Sequence, residues 1–324
     1  MRKIKRAEFN FEWIFAMIVG AAILMLAVYG AVRFGGTIKY QSDSELAKKL
    51  SVILDPLQPG FAEGKSTRII FNQNTKINNY CEGSGFGSND ISTSTEHRGE
   101  WGIPGATTSI NNKYIFSYSG GGKDYVVFSK NFELGFKISG ILIITSQKYC
   151  FINPPSDIEA DIRSISLDNF KVNNQICDNS SIRVCFQAVN NRRDSTKRCN
   201  ITVWGSCSGC DNEYKYGYVE KNSQRLYYLE NLMYGAIVTD YSTYNCNVQR
   251  LLYRTGKLAD LYSEKADVMQ SRACYSDLRP ELESLSNLTI TAAKSERLDT
   301  SLISISQLAE EITNKNSAGE CELW

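Results

Sequence analysis

Hydrophobic and polar residues follow a different pattern in each successive segment of this chain. Residues 13–32, WIFAMIVGAAILMLAVYGAV, carry no charge. As an α-helix rising about 1.5 Å per residue, this run reaches roughly 30 Å, the thickness of a bilayer's hydrocarbon core. The pattern predicts a transmembrane helix over residues 13–35, preceded by a short cytoplasmic head, residues 1–12.

The charges that flank the apolar run predict its orientation. Arg33 and Lys39 are the nearest basic residues on its C-terminal side, whereas four basic residues crowd the other end: Arg2, Lys3, Lys5 and Arg6. Because basic residues favour the cytoplasmic side, we expect a single-pass protein of the cell membrane with its N-terminus in the cytoplasm and the rest outside. The run is longer than a secretory signal's apolar region and no small-x-small site follows, so we expect it to be retained.

A second helical pattern follows directly. Residues 37–57 have apolar side chains at helical spacing, namely Leu46, Leu50, Ile53 and Leu54. This spacing predicts an amphipathic stem helix that stops before Pro56. Gly35 and Gly36 predict a break between the stem and the apolar helix.

Residues 66–245 change to a β pattern. Short runs rich in Ile, Val, Phe and Tyr alternate with clusters of Gly, Asn, Ser and Asp, which is typical of antiparallel strands and turns. The clearest predicted hairpin is YIFSYS-GGGKD-YVVFS, residues 114–129. Another predicted strand region is RLYYLENLMYGAIVT, residues 225–239. The segment predicts a β-rich domain outside the membrane.

Residues 246–324 return to helical spacing, with predicted helices over 249–273, 281–294 and 299–313. The predicted fold class is therefore α+β: an N-terminal transmembrane helix, an antiparallel β-rich extracytoplasmic domain stapled by disulfides, and a helical C-terminal region.

The cysteines are the reason for expecting disulfides. All ten lie beyond the apolar helix, and an even, generous number is typical of an oxidising compartment. Cys246 and Cys274 bracket a predicted helix too rigid to let its ends meet, so each should bond elsewhere. The pairing is otherwise open, and Cys321 is expected to pin the C-terminal tail. The candidates are Cys81, Cys150, Cys177, Cys185, Cys199, Cys207, Cys210, Cys246, Cys274 and Cys321.

Charge and sequons add to the picture of an exported domain. The chain has 36 basic and 35 acidic residues, a net charge of +1, which gives no strong field for nucleic acid. Three N-x-S/T sequons make Asn179, Asn200 and Asn287 candidates for glycosylation.

Catalytic patterns are scarce. His97 is the only histidine, so multi-histidine metal sites are excluded, and we expect it in an exposed loop. Gly120 to Lys123 lack the other residues of a phosphate loop and predict a hairpin turn, and the glycines between Gly83 and Gly87 do not form a dinucleotide motif. We expect no catalytic activity, no metal and no cofactor.

Cys207 and Cys210 form the one motif with chemical potential, a C-x-x-C that in a suitable fold exchanges disulfides or helps to bind zinc. Reactive pairs sit at a helix N-terminus, yet no amphipathic helix follows here, and a second paired-cysteine unit for zinc is missing. A structural disulfide is the favoured reading.

The head of the apolar helix contains unexpected acids. Lys5, Arg6 and Ala7 are followed by Glu8, Asn10 and Glu12. In this order the residues resemble the archaeal type IV pilin-like proteins with a class III signal peptide. The resemblance covers about the first 35 residues and implies cleavage after Ala7 by a prepilin-type peptidase. It also implies that Glu12 pairs with the new α-amino group of a neighbouring pilin-like subunit, since a carboxylate in a low-dielectric bundle needs a cationic partner.

The resemblance departs from the usual pattern at three positions: Ala7 stands for glycine, Glu8 for glutamine and Asn10 for serine. A plain signal anchor, with Glu8 and Glu12 solvated by headgroups, is the alternative.

Three functions follow. The first is a non-enzymatic surface protein in the lipid bilayer, a pilin-like or minor-pilin subunit presenting an adhesive domain. The second is an anchored domain that binds a partner or glycan and is unrelated to filaments. The third is an anchored enzyme: a thiol oxidoreductase using Cys207 and Cys210, or a hydrolase with unassigned carboxylates.

Overall fold

A computed structural model of the chain describes residues 11–54, 66–165, 167–172, 177–188, 199–206, 214–271, 274–295, 301–319 and 321–324. Its helices are α1 (Phe11–Leu54), α2 (Ser156–Ile165), α3 (Leu232–Val238), α4 (Tyr241–Gln270), α5 (Arg279–Lys294) and α6 (Leu302–Ala318). Its strands are β1 (Ser66–Glu82), β2 (Ser88–His97), β3 (Glu100–Trp101), β4 (Thr108–Asn111), β5 (Ile115–Ser117), β6 (Gly121–Leu134), β7 (Phe136–Thr145), β8 (Tyr149–Ile152), β9 (Phe170–Val172), β10 (Ile182–Ala188), β11 (Ile201–Gly205), β12 (Tyr216–Lys221) and β13 (Gln224–Leu229). The α+β class with C-terminal helices is confirmed.

The strands form two sheets. The first sheet has the order β3-β2-β1-β6-β7-β5, with β4 paired to β2, and the second has the order β13-β12-β11-β10-β8-β9. The predicted β-rich domain is confirmed, but its strands are only partly antiparallel, because β5 pairs with β7 in parallel and β8, β9, β10 and β11 form a parallel group. Each parallel pair needs a crossover connection of about a dozen or more residues, and local patterns of strands and turns do not reveal such a connection.

Helix α1 is continuous over 44 residues and spans roughly 66 Å. The predicted break at Gly35 and Gly36 is wrong. A helical glycine costs only about 1 kcal/mol relative to alanine. That cost is small beside the free energy gained by burying Ala47 and Leu50. These two residues lie further along the same helix and pack on the first sheet.

The predicted hairpin over residues 114–129 is also wrong. β6 runs on to Leu134, turns at Gly135 with a φ of +78°, and pairs with β7. β5 pairs with the opposite edge of β7, so β7 lies between the two strands of the expected hairpin. In the same way, residues 225–239 are not one strand region, since β13 ends at Leu229 and α3 follows.

The first sheet is covered on both faces. Alternate side chains of β6 point in opposite directions: Tyr125 and Val127 belong to a cluster with Leu50 of α1, whereas Val126 and Phe128 belong to the main core. That main core also contains side chains of the second sheet and of α2 to α6. The C-terminal half of α1 therefore covers one face of the first sheet, and the rest of the domain covers the other.

Candidate functional site

The stretch Trp13–Ala31 of α1 makes no packing contact with the rest of the structure as far as it is described. Residues Trp13–Ala31 have a mean hydropathy of 2.4 and are 0% buried, and among the described residues this is the one helix long and apolar enough to cross a membrane. Large side chains such as Leu24 and Met25 are exposed. A continuous apolar surface of this size is unfavourable in water, so it requires an apolar environment or a partner.

The C-terminal half of α1 is held on the first sheet by hydrogen bonds as well as by burial. The Thr93 hydroxyl donates to the Asp43 carbonyl at 2.7 Å, and the Ala106 amide donates to the Ser44 hydroxyl at 2.7 Å. Gly105 permits this approach, because a Cβ at that position would lie 2.5 Å from the Ser44 amide nitrogen. The junction fixes the axis of the exposed half relative to the domain.

Four cysteine pairs lie at disulfide distance. Their Cα–Cα distances are 6.1 Å for Cys81–Cys246, 5.7 Å for Cys150–Cys177, 5.9 Å for Cys185–Cys199 and 5.7 Å for Cys274–Cys321. The expectation that Cys246 and Cys274 bond elsewhere is confirmed, as is the pinning of the tail by Cys321. Cys207 and Cys210 lie outside the described residues.

The three sequons occupy different settings. Asn179 lies in an exposed turn, where the Asp178 carboxylate accepts from Ser180 and Ser181. Asn200 is exposed, and its side-chain oxygen accepts from the Arg183 amide at 2.9 Å. Asn287 is exposed on α5, but the Thr289 hydroxyl of its sequon is buried and donates to Leu285. Glycosylation stays a prediction at all three.

Neither the glycine-rich segment nor His97 lies in a group of catalytic or metal-binding side chains among the residues that the structure describes. His97 is exposed at the end of β2, opposite Glu100 of β3. Gly121 to Lys123 begin β6, so the hairpin turn predicted there is wrong. Within the described residues, no group of three or more His, Cys, Asp or Glu side chains is placed to hold a metal ion.

A polar cleft that sequence patterns did not indicate is lined by residues of β6, α2, α3 and α6 and by the residues that follow β13. Two adjoining cavities, about 280 and 350 Å³, share Lys215, Glu230 and Asn231 in their walls. The Lys215 ammonium lies 3.3 Å from Glu310 and 3.9 Å from Glu230. Glu230 has a φ of +49°, and burial raises the pKa of its carboxyl, with Lys215 opposing the shift.

The second cavity has a buried cation in its wall. The Lys130 ammonium is ion-paired with Asp161, whose other oxygen accepts from the Tyr234 hydroxyl at 2.5 Å. Burial, followed by the Asp161 charge, raises the pKa of Tyr234 well above its usual value, so this phenol stays a donor. Charged donors and acceptors at one polar surface can hold a hydroxyl-rich or zwitterionic ligand by hydrogen bonds.

A buried arginine is the other polar feature that the sequence did not reveal. Arg250 of α4 is 0% exposed, and burial lowers the pKa of its guanidinium. Its hydrogen-bond acceptors are neutral: the carbonyls of Phe86 and Lys113 and the side-chain oxygens of Asn89 and Asn247, at 2.7–2.9 Å. The helical pattern of α4 gave no signal, because one polar residue among apolar ones is ordinary.

The predicted N-terminal processing residues Lys5, Arg6, Ala7 and Glu8 lie outside the described residues. Glu12 lies in the first turn of α1. Comparison of the chain with protein families, curated proteins and solved structures finds no match.

Proposed function

We propose that this chain is a membrane-anchored, outward-facing surface protein without catalytic activity, and most specifically a pilin-like or minor-pilin subunit. The observation that carries the proposal is the two-part helix α1. Its apolar first half is exposed along Trp13–Ala31, and its second half is packed on a sheet through Ala47 and Leu50. One rigid rod thus joins a lipid-compatible segment to a folded outer domain.

The pilin-like reading is supported by the order of residues at the head of α1 and by the sheet that packs on its stem. Because α1 is one helix from its first turn to the sheet, the outer domain is held at a fixed position relative to the apolar segment. A plain signal anchor needs no such rigid connection. The oxidised cysteine pairs support an extracytoplasmic position for the domain.

Processing is tested by mass spectrometry of the N-terminus in the membrane fraction. We expect a mature chain that begins at Glu8, because cleavage after Ala7 leaves the apolar helix intact. An intact Met1 or Arg2 terminus would overturn the pilin-like reading and leave the signal anchor.

Assembly is tested by Glu12→Ala, with Glu45→Ala as the matched control on an exposed face of the same helix. The first change should spare membrane insertion and strongly reduce cross-linked multimers, because an unneutralised amino terminus is costly in a low-dielectric bundle. The control should assemble normally. Equal assembly of both variants would remove the pairing role of Glu12.

A second candidate function is the anchored binding of a glycan or another polar partner, favoured by the cleft around Lys215 and Glu230. Glu230→Gln should reduce binding on a glycan array at least tenfold, because the change removes a charged acceptor from the cleft. Glu100→Gln, on an exposed strand, should have no effect. Unchanged binding in Glu230→Gln would exclude the cleft as the site.

A further inference from the structure

The two sulfurs of the Cys81–Cys246 disulfide lie in different environments. This pair joins the end of β1 to α4 and has a sequence separation of 165 residues. The Cys81 sulfur lies 4.0 Å from a terminal nitrogen of the buried Arg250 guanidinium. That nitrogen donates its protons to Asn89 and Asn247. It therefore interacts with the sulfur electrostatically and does not form a full hydrogen bond with it.

Arg250 has no carboxylate among its hydrogen-bond partners, and the carboxylate that attracts its charge is that of Glu82, the residue after Cys81. Four neutral oxygens accept from the guanidinium, and its carbon lies 4.8 Å from the centre of the Tyr114 ring. Neutral acceptors satisfy the N–H groups but do not neutralise a cation withdrawn from water. A negative charge on the Cys81 sulfur would therefore be stabilised at this position more than a thiolate in water.

Exposure does not distinguish the two sulfurs, because Cys81 and Cys246 are both half-buried. A Cβ built on the exposed Gly83 would lie 3.4 Å from the Cys246 sulfur and 3.7 Å from the side-chain oxygen of Gln249, so these neighbours of Cys246 are neutral. The cation beside Cys81 therefore makes Cys81 the better leaving group, because a stabilised thiolate leaves faster.

We propose that Cys81–Cys246 is a reducible cross-link in which Cys246 is the attacked sulfur and Cys81 is the leaving group. A thiolate from an external dithiol bonds to the Cys246 sulfur, and the S–S bond breaks with its electron pair going to Cys81. The second thiol of the reductant, after losing its proton, displaces Cys246 as a thiolate, which takes up a proton, and the reductant becomes a disulfide. Two electrons pass from the dithiol to the pair, and the Cys81 thiolate remains beside Arg250.

Reduction then exchanges a covalent link for an ion pair between the Cys81 thiolate and Arg250, so α4 stays docked on β1. Two other disulfides contrast with this one. Cys150 and Cys185 are buried with Ile152 in an apolar cluster. Apolar burial raises a thiol's pKa and makes it a poor leaving group, so these pairs should resist the same reductant.

The first experiment uses the full-length protein without substitutions. Limiting glutathione is added, the reaction is quenched with acid, free thiols are alkylated under acidic conditions, and peptides are mapped by mass spectrometry. We expect glutathione on Cys246 and the alkyl label on Cys81, ahead of any modification of Cys150 or Cys185. Glutathione mainly on Cys81, or earlier opening of the apolar-cluster pairs, would overturn the proposal.

The second experiment measures the thiol pKa of Cys81 in a Cys246→Ser variant from the pH dependence of its alkylation rate. An ordinary thiol has a pKa of about 8.5, and we expect Cys81 to lie at least about one unit lower. Adding Arg250→Gln should raise the pKa to the ordinary value or above, whereas adding Arg250→Lys should retain part of the depression. Arg254→Gln, one turn further along α4, is the matched control and should leave the pKa low.

An unperturbed Cys81 pKa in the Cys246→Ser variant would contradict the proposal. Should Arg250→Gln fail to fold, the glutathione position in the unsubstituted protein still decides the direction of attack. The circular dichroism spectrum of the selectively reduced protein should match that of the oxidised protein, and loss of its helical signal would refute the ion-pair replacement.

Discussion

At the scale of single residues, the buried Arg250 and the half-buried Lys221 are both held by oxygen atoms of the backbone. Arg250 donates to the carbonyls of Phe86 and Lys113, and Lys221 donates to those of Ile237 and Thr239 at the end of α3. Carbonyl dipoles at a helix C-terminus stabilise a cation, yet burial opposes its charge. Burial lowers the pKa of Lys221 to about 8, with Asp240 opposing the shift.

Lys221 therefore gives a prediction about alkaline pH. Between pH about 8 and about 10.4, the unfolded chain binds more protons at this lysine than the folded protein does, so its contribution to the free energy of unfolding rises with pH. In Lys221→Met that rise is absent, a difference of about 1–3 kcal/mol across the window. Chemical denaturation at several pH values measures it.

Lys137→Met, at an exposed position of β7, is the control and should keep the rise seen in the unsubstituted protein. A parallel pH dependence in Lys221→Met and the unsubstituted protein would show that Lys221 does not titrate in this window.

At the scale of elements, long amphipathic patterns predicted more than local turn signals did. The helical stripes of the C-terminal region correspond to α4, α5 and α6. A stripe of leucines indicates both that the segment is helical and which of its faces is buried. Glycines were less informative. Gly35 and Gly36 lie within α1, and the glycines near position 121 start β6, since tertiary contacts outweigh the modest local cost of a glycine.

The docking of α1 on the sheet gives a second prediction. Leu50 is 1% exposed, so Leu50→Ala should lower the free energy of unfolding of the outer domain by about 2–5 kcal/mol. Denaturation of the full chain in detergent measures this loss. Lys49→Ala, on the exposed side of the same turn, should change stability by less than about 0.5 kcal/mol. Equal effects would mean that α1 does not hold the sheet.

At the scale of the whole molecule, an exposed apolar helix and a domain with four cysteine pairs at disulfide distance suit two different environments. The apolar half of α1 suits hydrocarbon, and the four cysteine pairs suit an oxidising exterior. The polar cleft lies near β13, α3 and α6, apart from the α1 junction at β2 and β4. A ligand and the anchor would therefore use separate surfaces.

This difference in environment predicts the result of protease treatment of intact cells. Proteinase should remove the residues from β1 onward and leave a membrane-embedded fragment that contains Trp13–Ala31. In a parallel sample, a thiol-alkylating reagent is added at the moment of lysis. It should not label Cys150 or Cys185, because both should already be in disulfides. A domain that survives on intact cells but is digested after lysis would place it inside, contrary to the proposed topology.

The amino-acid sequence by itself determined the elements whose physics is local. An uncharged run predicts an apolar helix, β-rich runs between turn residues predict strands, apolar stripes predict helices, and ten cysteines beyond the apolar run predict disulfides. The tertiary structure decided which strands pair, which cysteines meet and which polar groups are buried together. These depend on contacts between residues far apart in the chain: β5 with β7, Cys81 with Cys246, and Arg250 with Lys113. No local pattern records such contacts, because each is chosen by the packing of the whole core.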